Sequence, residues 1–270
     1  MSDVASASQQ HRSSQGEGPQ RPNDQQQPLD HRLSAGEGLS ERGVEASLGL
    51  HDDACQPIDD SLRKLRSVEA RTREIIQKYQ AAMREMEVRF EILDQDLNLK
   101  KHRNPIHHVE SRIKKPASIF EKLGRYGKQP TLENMERYIM DIAGVRVICS
   151  YIHDVYNLLE LLQRQDDLEI VAVKDYIANP KPNGYRSLHV IVRIPVYFLD
   201  KKELIPVEVQ LRTVAMDFWA SLEHDLKYKA VREVEGIDSF AELKDCSRII
   251  EDVETRMQIL ARALEQDGGF

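Results

Sequence analysis

Residues 188–213, LHVIVRIPVYFLDKKELIPVEVQLRT, hold two runs rich in Val, Ile and Leu separated by a short charged segment. Both runs read as β-strands. In the second, Val207, Val209 and Leu211 alternate with Glu208, Gln210 and Arg212. Side chains two apart on a strand share a face, about 7 Å apart, so the polar trio either lines one pocket or forms the solvated side of a half-buried strand.

Working outward, GVRVICSY from Gly144 reads as a buried strand and EIVAVKDYI as another. Between and around these strands lie helix signals. Residues 131–141 form one, and Val155, Leu158, Leu159 and Leu162 mark a second by their i, i+3, i+4, i+7 spacing. Residues 214–228 form a third, with Ala215, Phe218, Trp219, Leu222 and Leu226 on its apolar face. This alternation predicts an α+β fold, a mixed sheet of four or five strands with helices against it. Long heptad-like seams flank that centre. One is Tyr79, Met83, Met86, Phe90, Leu93 and Leu97; the other is Leu243, Cys246, Ile250, Val253, Met257, Leu260 and Leu264. Each seam either packs on its own subunit's core or forms a subunit interface.

The expected organisation is a tail over 1–57, a helical segment over 58–104, a central domain over 105–232 and a terminal helix over 233–270. The tail has no Phe, Tyr or Trp and is rich in Ser, Gln, Gly and Pro, a composition expected to remain disordered. It holds nine acidic and four basic residues, so it supplies −5 of the formal net charge of −7. The rest is nearly neutral except for residues 111–128, which hold six Lys or Arg and one Glu. A local basic patch in a near-neutral domain suits a polyphosphate ligand better than long nucleic acid. Three widely spaced cysteines indicate neither a disulfide framework nor a zinc cluster. With no signal-peptide pattern and no long apolar run, the expected location is the cytoplasm.

Several residues carry candidate chemistry. Asp141 stands where a helix gives way to a strand, so it either ends the helix or pairs with Glu208 on a neighbouring strand to hold Mg²⁺. Gly144 would allow close backbone approach there. Arg112, Lys114, Lys115, Lys122, Arg125 and Lys128 either form a solvated face or surround a triphosphate. No Walker A sequence is present, so side chains would hold the phosphates. In KPNGYRSLH, residues 181–189, Pro182 and Asn183-Gly184 favour a turn that presents Tyr185 before a strand. Tyr185 either packs within the turn or stacks on a nucleobase. His189 shares strand parity with Arg193.

Taken together, SRIKKPASIFEKL, DIAGVRV, KDYIANPKPNGYRSLH and VEVQLRTVAMDFWASLEHDLKYK resemble the RelA/SpoT-type alarmone synthetases, over about residues 106–229. In length and motif order the chain is similar to the small, single-domain members. The resemblance implies a nucleotidyltransferase-like mixed sheet and Mg²⁺-dependent transfer of pyrophosphate from ATP to the 3′-hydroxyl of GTP or GDP. It makes Asp141 the metal ligand, and Glu208 the general base with a second metal contact. Arg112 and Arg146 would sandwich adenine, while Lys114, Ser118, Lys122 and Arg125 hold the rest of ATP. Lys174, Asn183, Tyr185, His189, Gln210 and Asp217 would hold the guanine nucleotide. A homo-oligomer, with a tetramer favoured, would form through the flanking helices. Rival readings are the same fold acting on adenine nucleotides or the 3′ end of tRNA, and a catalytically silent nucleotide- or RNA-binding regulator. Two acidic groups beside a polyphosphate argue against the silent one.

Overall fold

The computed structural model describes residues 56–101, 103–229 and 238–266. Almost all of the low-complexity tail, Cys55 included, lies outside them. The chain runs α1 (Gln56–Lys101), β1 (Ile106–Ile113), α2 (Pro116–Arg125), α3 (Leu132–Tyr138), β2 (Ala143–Cys149), α4 (Ile152–Gln163), β3 (Glu169–Asp175), β4 (Leu188–Tyr197), β5 (Lys202–Thr213), α5 (Val214–Lys229) and α6 (Ser239–Gln266). The five strands form one mixed sheet in the order β1-β2-β5-β4-β3. Only the β2–β5 pair is parallel; the other three pairs are antiparallel.

Alternation places Val145, Val147, Val190, Val192, Val207, Val209 and Leu211 in the core. There they meet Tyr79, Met86 and Phe90 of α1 and Val155, Leu158 and Leu162 of α4. The α1 seam thus packs on its own subunit, where burying apolar surface contributes about 25 cal/mol per Å². No helix among the described residues is long and apolar enough to cross a membrane.

Two expectations are corrected, the extent of the 131–141 helix and the buried face of α5, and two open alternatives are narrowed. The basic run is not one solvated face: it takes in the last three residues of β1 and all of helix α2. Pro116 occupies the start of α2, where its missing N–H costs nothing, and Ile119 and Leu123 bury the helix against the core. The helix expected over 131–141 ends at Tyr138, so Asp141 lies beyond its end, in the connection to β2. On α5 the buried residues are Met216, Trp219 and Glu223, while Phe218, Leu222 and Leu226 are exposed. The α6 seam also faces outward: Cys246, Val253, Met257, Leu260 and Leu264 are exposed, and the buried stripe is Ser247, Glu254 and Ala261.

Candidate active site

Strand pairing assembles the site. Glu110 on β1 is opposite Arg146 on β2, Arg146 is beside Gln210 on β5, Gln210 is opposite His189 on β4, and His189 is opposite Lys174 on β3. Paired positions share a face, so these five residues form one transverse row across the whole sheet. Four strand spacings of about 4.8 Å give the row a length of roughly 19 Å. Two residues along the same strands lies a second row, Arg112, Gly144, Glu208 and Ile191. Both rows point away from the valine core.

The cleft over β1, β2 and β5 is lined by Arg112, Lys114, Asp141, Arg146, Glu208 and Gln210, together with Glu110, Ser111, Gly144 and Val145. A Cβ on Gly144 would meet only the Arg112 carbonyl oxygen, at 3.8 Å. That is ordinary contact, so this glycine leaves the cleft floor open rather than permitting close backbone approach. Asp141 Oδ2 accepts from Lys114 Nζ at 2.7 Å and from Lys122 Nζ at 2.8 Å. Burial works against the Lys122 ammonium, but the hydrogen bond and charge of Asp141 outweigh it and hold its pKa above the usual lysine value. The other carboxylate oxygen, Asp141 Oδ1, is buried without a partner. A buried, unsatisfied carboxylate oxygen is costly unless a ligand completes it.

Glu208 belongs to a closed ring of hydrogen bonds. His189 Nδ1 lies 3.2 Å from Glu208 Oε1, and Gln210 Nε2 donates to Oε2 at 2.7 Å. Arg212 Nη2 donates to Gln210 Oε1 at 3.1 Å and to the Tyr185 hydroxyl at 2.6 Å, and that hydroxyl lies 2.8 Å from His189 Nε2. For a neutral imidazole, the Tyr185 hydroxyl then donates to Nε2, which leaves Nδ1–H to donate to Glu208. Burial pushes the Glu208 carboxyl up, yet the His189 and Gln210 hydrogen bonds and nearby Lys122 bring it down to about 2.

Asp217 joins the two halves: it accepts from Arg212 Nη1 at 3.1 Å and pairs with Arg146 Nη1 at 3.4 Å. Arg146 also donates to Glu110 at 3.1 Å. Tyr185 is less open than the sequence suggests. Lys181 Nζ sits 4.4 Å from its ring centroid and 4.6 Å from that of Tyr176, filling the slot between the rings. Burial lowers the Lys181 pKa, with Glu208 acting in the opposite sense.

Most of the residues expected from the sequence therefore converge on one sheet face. Others do not. Ser118 and Arg125, at the two ends of α2, are not among the residues lining the cleft. Asn183 uses its side chain within the loop, accepting from Tyr185 N at 3.3 Å and donating to Glu223 at 3.0 Å. Lys174 is exposed at the far end of the row. Sequence reasoning gave no site role to Glu110, Tyr176 or Lys181, and none to Arg212 beyond a place on the polar face of its strand. The strand alternation that singled out Glu208 and Gln210 already carried Arg212, whereas Glu110 was hidden because the mixed polar and apolar pattern of β1 gave no strand signal.

The five-stranded mixed sheet flanked by helices matches the fold of solved small alarmone synthetases. The solved synthetase 2 from Bacillus subtilis superposes with a TM-score of 0.63 at 42% identity, covering 71% of this chain and 98% of that one. Synthetase 1 from the same organism, bound to its product pppGpp, gives a TM-score of 0.65 at 30% identity, covering 72% and 98%. In sequence, the GTP pyrophosphokinase YwaC of Bacillus subtilis is 46% identical over 179 residues, 66% of this chain and 85% of that protein. Residues 111–233 match the family described as the region found in RelA / SpoT proteins. The chain belongs to the RelA/SpoT family.

Proposed function

We propose that this protein is an alarmone synthetase that transfers pyrophosphate from ATP to the 3′-hydroxyl of GTP or GDP, making (p)ppGpp in the cytoplasm. The observation that carries this reading is the continuous row Glu110, Arg146, Gln210, His189, Lys174, with Glu208 beside its centre. Roughly 19 Å of sheet face gives room for two nucleotides end to end, with the carboxylate between them. ATP occupies the β1–β2 end, where Arg112 and Arg146 present planar guanidinium groups to adenine and Lys114 and Lys122 face the phosphates. The acceptor occupies the β4–β3 end, beside Tyr185 and His189. Lys181 must leave the Tyr176–Tyr185 slot for a base to stack there.

Mg²⁺ suits the donor set. The partnerless Asp141 Oδ1 and Glu208 are hard oxygen donors, and Mg²⁺ usually takes one or two carboxylates with phosphate oxygens and water. When bound, it would neutralise charge on the transferring phosphates. In the reaction the acceptor O3′ attacks the β-phosphorus of ATP, the bond to the oxygen joining it to the α-phosphorus breaks, and AMP departs. Glu208 takes the hydroxyl proton. A carboxyl held near 2 is a weak base, so the acceptor hydroxyl has to replace the hydrogen bond from His189 or Gln210. Lys114 and Lys122, already fixed by Asp141, disperse the negative charge.

The outward α6 seam, together with Phe218, Leu222 and Leu226 of α5, supports a homo-oligomer, with a tetramer favoured. Light scattering on the purified chain checks this.

The deciding experiment incubates the protein with labelled ATP, Mg²⁺ and, in turn, GTP, GDP, GMP, ATP or tRNA. Pyrophosphorylated guanosine is expected, and its absence with every guanine acceptor would refute the proposal. Glu208→Gln is expected to lower kcat by about 10²–10⁴-fold, the usual worth of a general base, while nucleotide binding persists.

A further inference from the structure

The loop that carries Tyr185 is held from behind by α6, a helix that begins beyond the family match of residues 111–233. Gly184 is buried at φ +91°, and a Cβ there would fall 2.8 Å from Ser247 Cβ and 3.2 Å from Lys244 Cα. The loop backbone is thus pressed directly on α6. Ser247, itself buried, donates from Oγ to the Gly184 carbonyl at 2.6 Å. On the other side of Tyr185, buried Arg186 donates to Glu254 at 3.1 Å and pairs with Glu251 at 3.4 Å. Both chain neighbours of Tyr185 are therefore fixed by one helix, while the Tyr185 side chain points the other way, into the ring with His189 and Arg212.

The chemistry of α6 fits this role. A helix that needed only anchoring would bury its apolar seam; α6 leaves most of that seam outside, with Leu243 and Ile250 half-buried, and buries a serine and a glutamate against the loop. A buried ion pair is a weak source of net stability, but it fixes geometry. Trp219 of α5 adds a tie, donating from Nε1 to the Leu243 carbonyl at 2.9 Å.

We infer that α6 is the back wall of the acceptor subsite, and that Ser247 and the Arg186–Glu254 pair are positioning residues that set affinity for the guanine nucleotide through the Gly184–Arg186 backbone. The inference rests on the proposed assignment of Tyr185 to the acceptor. The ATP subsite, on β1 and β2, is independent of this contact.

The test uses the full-length chain and compares Ser247→Ala, Glu254→Gln and Gly184→Ala, with Asp252→Asn on the exposed face of α6 as control. KM for GTP and KM for ATP are measured separately. Removing the Ser247 hydrogen bond should raise KM for GTP about fivefold, the net worth of one such bond, with KM for ATP and kcat within about twofold. Glu254→Gln, which keeps the shape and removes the charge, should raise KM for GTP in the same selective way. Gly184→Ala should exceed both, and Asp252→Asn should resemble the parent. Thermal unfolding of each variant confirms folding, and Glu254→Gln carries the test if Ser247→Ala does not fold.

An active parent whose variants raise both KM values together, lower kcat alone, or change nothing would overturn the inference. Equilibrium binding of GTP and of a non-hydrolysable ATP analogue provides a second readout. A parent that binds GTP without turnover refutes the synthetase reading, yet the same selective loss of GTP binding in the variants would still support the α6 clamp. A parent that binds no GTP overturns both.

Discussion

Helices α1 and α6 carry the same three-and-four apolar spacing and meet opposite fates. On α1 the seam faces the sheet, and Tyr79, Met86 and Phe90 are buried. On α6 the seam faces away, with Met257 and Leu260 exposed, and the helix meets the body through Ser247 and Glu254. Periodicity therefore reports that a face wants covering; it does not report what covers it. α1 belongs to the stability of the subunit. α6 holds the Tyr185 loop on one side and leaves apolar side chains open on the other, the face of the proposed subunit contact.

The strongest way to break this contrast is to truncate both seams. Phe90→Ala should cost about 3–5 kcal/mol in denaturant unfolding, as for other buried aromatics. The paired substitution Met257→Glu with Leu260→Glu should change subunit stability by no more than about 0.5 kcal/mol per site, as for exposed positions. Its effect should appear instead in light scattering, as loss of the oligomer. A large unfolding cost for the α6 pair, with assembly unchanged, would reverse the assignment of the two helices.

A smaller effect is expected where α6 meets α5. Trp219→Phe removes the donor to the Leu243 carbonyl and should lower stability by about 1 kcal/mol, the net value of one hydrogen bond. The smallest effect concerns pH. Burial pushes the Glu254 carboxyl up, with the Thr213 hydroxyl and then Arg186 acting against it, and the net shift is above the ordinary glutamate value of 4.5. Between 4.5 and that raised value the native state binds more protons than the unfolded chain, so stability falls as pH rises through the window. Glu254→Gln should flatten that slope in unfolding titrations, whereas Phe90→Ala should leave it in place.

Much of the site was legible because strand alternation is local. Glu208, Gln210 and Arg212 share a face whatever surrounds them, and the Asn183-Gly184 turn before Tyr185 follows from backbone preference. Strand β1 was not legible: IHHVESRI mixes histidines and charges because its outward side chains serve the cleft, so the run resembles a solvated surface. Helix α2 was hidden for the same reason, since it lies inside the basic run and buries only Ile119 and Leu123. On α5 the amphipathic pattern placed Trp219 correctly but turned the buried face too far toward Phe218 and Leu222, which are left open while Met216 is covered.

The sequence by itself determined the element types apart from β1 and α2, the polar face of β5, the apolar seams and the family resemblance, all of which depend on spacing within single segments. Only the tertiary structure decided that Glu110, Arg146, Gln210, His189 and Lys174 share one row, that Lys181 fills the slot beside Tyr185, and that α6 turns its polar stripe inward. Strand register and helix orientation are set by pairing between segments as much as a hundred residues apart. No local period encodes which partner arrives.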